Sequence, residues 1–463
     1  MAEETGGPAE LFVKMLKQNR VKTLFSYNRP AKEMMEEIEK NKISFGVWKG
    51  MVDAFIQTRD ELPVDFQARK ILTAGEINHP DFVLSKYQDF TECGVKMYER
   101  RDLKRITFIA PGGKENAVFY YRVELPAMKF WEQYIDFDVA VNVAVAKVDV
   151  ERSDVVVVNR FLEGQLELVK HVKGLGKKVV FDIDDLLTCL SPVNPLAVLY
   201  TNPRVQDELT EMISTVDMVT TTTETLKKEM SIFNSNVHIL RNKIDLAAPI
   251  WNIPRPKKTA TDPVVVTFIG GSTHLYDLMS VAGAIINSCS KPNVLFRLCG
   301  YSKGGRKLVV DKEGRIINEE QVKESVWDEI VRAFSPLGDN FQVVEAKPLT
   351  EYPQFFSDAD IIIAPLEDNR FNNSKSELKV IEAGAYSLPI VCSDVEPYQI
   401  LEHGVDGFLA GSSSKFGKYL NRLIGDANLR KEMGAALRKK IEASYDAVVQ
   451  IDRREAYSSL FKK

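Results

Sequence analysis

The chain has 463 residues, 44% of them hydrophobic and 27% charged, with a net charge of -4. This is the balance of an ordinary globular protein, and it excludes a disordered chain, a fibrous repeat and a disulfide scaffold. It also excludes a globally basic surface of the kind that grips nucleic acid. The length predicts roughly two to four domains. The cysteines (Cys93, Cys189, Cys289, Cys299 and Cys392) are scattered without zinc or redox spacing, and their odd number fits a reducing compartment. The acidic, polar N-terminus carries no signal-peptide pattern. The apolar run 139–148 is interrupted by Asn142 and Lys147 and is too short to span a bilayer. The expectation is a cytoplasmic protein without a transmembrane segment.

Residues 1–102 read as a helical N-terminal region, with apolar residues at helical spacing in 9–17, 31–39, 45–56 and 81–100. From residue 103 the pattern changes. Short Val- and Ile-rich runs at 106–110, 139–145, 155–158, 179–183, 218–221 and 237–240 alternate with helical segments. Continuous apolar strands separated by helices predict a parallel sheet covered on both faces. Residues 249–263, with Pro249, Pro254, Pro256, Pro263 and the pair Lys257-Lys258, read as a linker. The alternation restarts at 264–269, 294–298, 341–344, 361–364, 390–392 and 408–410. The predicted fold is α/β: two tandem doubly wound, Rossmann-like domains (103–248 and 264–440) and a closing helix at 441–463. An interdomain cleft would receive the carboxyl ends of both sheets, where ligands bind in such folds.

The most informative stretch is 372–394, NNSKSELKVIEAGAYSLPIVCSD. A polar loop from Asn372 to Ser376 leads into a predicted helix at 377–385. The unpaired N–H groups of a helix start, with Lys375 beside them, suit a phosphate. Glu382, one to two turns in, can accept hydrogen bonds from two neighbouring sugar hydroxyls. Together these describe a nucleoside-diphosphate grip. A capped surface helix with charge pairs explains the same local pattern equally well.

The stretch resembles the donor-site signature of glycosyltransferase family four, of GT-B fold, in which two glutamates with seven residues between them precede a small-residue helix face and a strand. Glu382 matches the second glutamate, and Ser374 stands at the first. Lys375, Ser376 and Lys379 resemble a bacterial and phage branch with Lys-Ser before this helix. Residues 264–277 resemble the strand and Gly-rich loop that opens the donor domain. Gly270 and Gly271 would approach the phosphates there, and His274 or Lys375 would supply the charge of the loop's missing basic residues. Residues 295–300, 361–365 and 404–409 resemble further donor-domain blocks, 239–245 the interdomain crossover with Asn242 and Asp245, and 121–126 the first acceptor-domain loop. The resemblance covers about 105–450. It implies retaining, metal-independent transfer of a hexose or pentose from a nucleotide-sugar, most simply a UDP-sugar, with no other cofactor. The implied acceptor hydroxyl belongs to a cell-surface glycan or to a nucleic acid such as a hydroxymethylated DNA base. A DNA acceptor would need a basic surface, which 14–22, 96–105 and 170–178 could supply.

The sequence VVFDIDDLL at 179–187 admits three readings. A haloacid-dehalogenase-like, Mg-dependent phosphatase would use Asp182 and Asp184, but Leu186 and Leu187 stand where that family has Thr or Ser. A GT-A metal site would belong to a single sheet. On the GT-B reading, Asp184 and Asp185 take the positions of the family's His-Asp pair facing the donor sugar and acceptor, and these two are the catalytic candidates. A helix-capping carboxylate is the plainer alternative. His79, His171, His238 and His403 read as packing or surface residues, and no cluster of His, Cys and acids has metal spacing. A non-catalytic GT-B binding protein is the remaining alternative.

Overall fold

A computed structural model of the protein describes residues 104–109, 117–133, 137–142, 150–151, 153–160, 165–259, 261–312, 316–322, 324–447 and 450–461. The predicted helical region 1–102, with Cys93, His79 and the basic stretch 14–22, lies outside the described residues.

The first sheet contains β1 (Lys104–Ile109), β2 (Phe137–Asn142), β3 (Val155–Asn159), β4 (Lys178–Asp182), β5 (Met218–Thr221) and β6 (Val237–Ile239). All pair in parallel, in the order β2-β1-β3-β4-β5-β6. Every residue of β3, Val-Val-Val-Val-Asn, is buried, as a central strand covered on both faces requires. The helices that flank this sheet include α1 (Leu125–Gln133), α2 (Gln165–Gly174), α3 (Pro203–Thr215) and α4 (Glu224–Met230). Asn202 caps α3 with Pro203 at its first position, and Thr223 caps α4, so both helices begin where chemistry satisfies their free donors.

The second sheet orders its strands β11-β8-β7-β12-β13-β14, again all parallel. These are β7 (Val264–Ile269), β8 (Val294–Tyr301), β11 (Phe341–Glu345), β12 (Ile361–Ala364), β13 (Ile390–Ser393) and β14 (Phe408–Ala410). Among its helices are α5 (Leu275–Cys289), α6 (Val326–Phe334), α7 (Leu378–Ala385), α8 (Ser413–Gly425) and α9 (Ala427–Ser444). One element was not anticipated. An antiparallel hairpin, β9 (Gly305–Val310) with β10 (Ile316–Val322), leaves the sheet after β8. It reaches the first domain, where the Asn202 side chain donates to the Lys312 carbonyl at 3.2 Å.

The two halves share one apolar core. It joins Phe108, Tyr121 and Phe130 of the first half to Phe356, Ile381 and Tyr386 of the second. The proline-rich stretch after residue 248 is anchored rather than loose: Trp251 is buried between Phe356 and Tyr386, with ring centroids 6.2 and 6.1 Å away. The last helix, α10 (Ile451–Ser459), returns to the first half and lays Tyr457 against Phe108 and Phe130.

At the centre lies Arg122, on a π-helical turn (Phe119–Glu124) that runs into α1 and 1% exposed. Its Nε and Nη2 donate to the Asp182 carboxylate at 3.0 and 2.5 Å, and its Nη1 to the Leu240 carbonyl at 2.6 Å and Asn242 Oδ1 at 3.1 Å. Asp182 also accepts from Asn159 at 2.9 Å and Thr220 at 2.6 Å. Burial would raise the Asp182 carboxyl, but the Arg122 charge and the hydrogen bonds outweigh it and hold the group below its ordinary value. The ends of β3, β4 and β5 and the exit from β6 are thereby tied to one guanidinium.

Replacing Arg122 with Met would leave a buried, uncompensated carboxylate, and urea unfolding at pH 7 should show a loss of about 3–5 kcal/mol. Because the folded Asp182 value is depressed, its stabilisation is present above about pH 4 and is lost as the pH falls through the folded value. The gap between wild type and variant should therefore narrow on acidification.

Candidate functional site

The carboxyl ends of the two sheets face each other across a cleft holding a cavity of about 630 Å³. Arg160, Asp185 and residues 189–192 and 194–196 line it from the first half; Thr273, Tyr276, Asp277, Glu367, residues 369–372 and Lys375 line it from the second.

Asp184 and Asp185 follow directly on β4. Asp185 faces the cavity, with its Oδ1 3.8 Å from Lys375 Nζ. Asp184 is half-buried as a residue, but its carboxyl lies among other groups rather than in water. Burial first, and the neighbouring Asp185 charge second, push it up to about 6 against the opposing pull of Arg160 and Arg122. Asp182 does not join them. Its oxygens are taken by Arg122, Asn159 and Thr220 and it is buried, so it cannot serve as the nucleophile that the phosphatase reading requires.

Gly270 and Gly271 end β7. A Cβ at Gly270 would meet the Phe268 ring at 2.7 Å, and one at Gly300 (φ +106°) would meet the Gly270 carbonyl oxygen at 2.2 Å. Only glycines let the ends of β7 and β8 come this close. His274 Nδ1 is 2.8 Å from Asp277 Oδ2, with its ring edge-on to Phe268. Burial lowers the His274 pKa despite the Asp277 hydrogen bond, which makes the ring a neutral partner near pH 7 and leaves Lys375 as the positive charge here. Asp277, not singled out from the sequence, is the organiser: its Oδ1 accepts from the Glu367 N–H and from Asn372 Nδ2, both at 2.8 Å. A helix-start Asp three residues after the histidine was the available signal.

The donor-loop residues divide. Lys375 reaches the cavity, 4.4 Å above the Phe371 ring centroid. Ser374 is 0% exposed and points away; its hydroxyl donates to the Arg370 carbonyl at 2.9 Å, and its own carbonyl accepts from Thr223 at 3.2 Å. The Ser376 hydroxyl accepts from Asn242 at 3.0 Å. The helix begins at Leu378, one residue later than expected, and no side chain caps its start. Further in, Glu382 is 1% exposed and takes three donors: Tyr121 at 3.0 Å, Tyr352 at 2.9 Å and Lys379 at 3.2 Å. Lys379 also donates to the Tyr352 hydroxyl at 2.8 Å. The structure thus gathers Asp185 and Lys375 at the cavity and seals Glu382 behind tyrosines, with Lys379 half-buried beside it. Tyr121 comes from the other half of the chain, and local sequence carried no sign of this pairing.

The basic stretch 170–178 is largely neutralised. Lys170 pairs with Glu211 at 2.9 Å, and Lys173 and Lys178 pair with Asp217 at 3.3 Å each. Of 96–105 only Lys104 and Arg105 are described, and Lys104 lies 3.8 Å from Asp154.

Known proteins share this architecture. The sucrose-phosphate synthase of Thermosynechococcus elongatus superposes with a TM-score of 0.53 at 13% identity, covering 77% of this chain and 99% of its own. HepE of Anabaena, solved in complex with UDP and glucose, superposes at 0.52 and 12% identity with the same coverage of both chains. A glycosyltransferase from Rickettsia africae gives 0.52 at 11%, covering 78% and 100%. The fold is GT-B, two parallel α/β sheets facing a cleft. Residues 305–426, which include the Lys375–Glu382 segment, match the family model described as glycosyl transferases group 1. No curated protein matches the chain in sequence. Among the described residues no helix is long and apolar enough to cross a membrane.

The raised Asp184 value has a sign. A carboxyl whose folded value exceeds its unfolded one stabilises the fold fully below about pH 4, and that stabilisation is lost as the pH rises through about 6. Asp184→Asn should therefore be more stable than wild type at pH 8, by on the order of 1 kcal/mol, with the difference vanishing near pH 4. Thermal melts at the two pH values check this.

Proposed function

We propose that the protein is a retaining glycosyltransferase that moves a sugar from a nucleotide-sugar to an acceptor hydroxyl in this cleft, without a metal ion. The observation that carries the reading is Lys375 on the cavity wall, just before the uncapped start of α7 and opposite Asp185. A diphosphate between them would take a charge-assisted hydrogen bond from Lys375 and the free N–H groups of the first turn, which stabilise the developing charge of the leaving group. The backbone of Gly270 and Gly271 would line the same path. Asp184, poised at about 6, suits acceptance of the acceptor hydroxyl's proton near neutral pH, with Asp185 orienting the hydroxyl. The UDP held by HepE makes uridine the first base to test. Neutralisation of the 170–178 stretch favours a glycan over a DNA acceptor.

In this reading Glu382 holds the ribose, and the ribose hydroxyls take the place of the Tyr121 hydroxyl on its carboxylate. Donor binding then competes with an interdomain hydrogen bond.

Calorimetry with UDP, GDP and ADP, with and without Mg²⁺, tests the proposal. Metal-independent binding of one nucleotide is expected, weakened at least tenfold by Lys375→Ala or Glu382→Gln and tightened a few-fold by Tyr121→Phe. Absence of nucleotide binding, or Mg²⁺-dependent binding indifferent to Lys375, would sink it. Tightening by Tyr121→Phe without loss in Glu382→Gln would remove Glu382 from the ribose site alone.

A further inference from the structure

Arg160 is a cavity-lining cation that neither the sequence motifs nor the donor site uses. It follows directly on β3, at the carboxyl edge of the first sheet, and its backbone N–H donates to the Asp182 carbonyl at 3.1 Å. Its φ is +64°, a left-handed conformation that strains a non-glycine residue. Strain of this kind concentrates at functional sites. Its Nε is buried without a hydrogen-bond partner, and among the described residues no ion pair takes its charge. The cavity's other arginine, Arg370, is already held in a two-pronged contact by Glu229 at 2.8 and 2.6 Å. An arginine fork facing a cavity with an unsatisfied N–H is built for a planar or tetrahedral oxyanion.

We propose that Arg160 anchors an anionic group of the acceptor. The acceptor carries a phosphate or carboxylate that Arg160 binds, while the neighbouring Asp184 and Asp185 hold the hydroxyl that receives the sugar. The assignment to the acceptor rests on the glycosyltransferase reading and on position. Arg160 follows the first sheet beside the two acids, and Lys375, which would take the donor's phosphates, lies on the opposite wall. The acids do not abolish the site. Asp185 is drawn toward Lys375, and Asp184 and Arg160 are near enough to influence each other's charge without forming an ion pair. An incoming oxyanion therefore meets a guanidinium whose donors are still free.

The test titrates inorganic phosphate and, separately, UDP into wild type, Arg160→Gly and Arg160→Lys. Glycine adopts this φ without strain, so Arg160→Gly should fold with a melting temperature at or above that of wild type. The expected result is at least a tenfold loss of phosphate affinity in Arg160→Gly and a smaller loss in Arg160→Lys. UDP affinity should stay within twofold, and saturating UDP should leave the phosphate affinity unchanged. Phosphate binding equal in wild type and Arg160→Gly overturns the anchor. Phosphate and UDP affinities falling together, or phosphate competing with UDP, overturn it by making Arg160 part of the donor's diphosphate site. If UDP binds none of the proteins while phosphate behaves as expected, the anion anchor stands and the donor reading fails on its own.

Discussion

The buried pair of Arg122 and Asp182 is the constraint on which the rest depends. Two charges removed from water are tolerated only when nearly every donor and acceptor is satisfied. Here the guanidinium spends its hydrogen bonds on Asp182, Leu240 and Asn242, and Asp182 accepts from Arg122, Asn159 and Thr220. The network therefore fixes the ends of three parallel strands and the path of the chain as it leaves the first domain. Asp185 can project toward the cleft because Asp182, three positions earlier, is locked.

From this centre the network passes into the second domain. Asn242 accepts from Arg122 and donates to Ser376, Thr223 donates to the Ser374 carbonyl, and Tyr121 donates to Glu382. The loop before α7 is thus registered against the first sheet by polar contacts, and the shared apolar core supplies the adhesion. Polar contacts are directional and replaceable by a ligand's own hydroxyls, whereas apolar burial is not.

The electrostatics of the cleft are divided between its walls. Lys375 makes one wall suited to negative charge. The other wall carries Asp185 and Arg160, with Asp184 close behind them.

Much of this was legible in the chain. The parallel strands announced themselves as runs of Val and Ile, because a strand covered on both faces has no polar face to alternate with. The segment from Lys375 to Glu382 declared its residue types through motif and spacing. The hairpin at 305–322 did not, because its polar, Lys- and Glu-bearing strands carry no core signature. Nor did the placement of Arg160, Tyr121 and Asp277. Arg160 lines the cavity only once the two sheets come together, and Tyr121 meets Glu382 across 261 positions of sequence. The sequence by itself determined which segments become sheet and which residues bring charge to the cleft, since hydrophobic period and side-chain chemistry are local properties. Only the tertiary structure decided which charges are neutralised, which are sealed and which remain free, because a side chain's partners are set by the packing of distant segments.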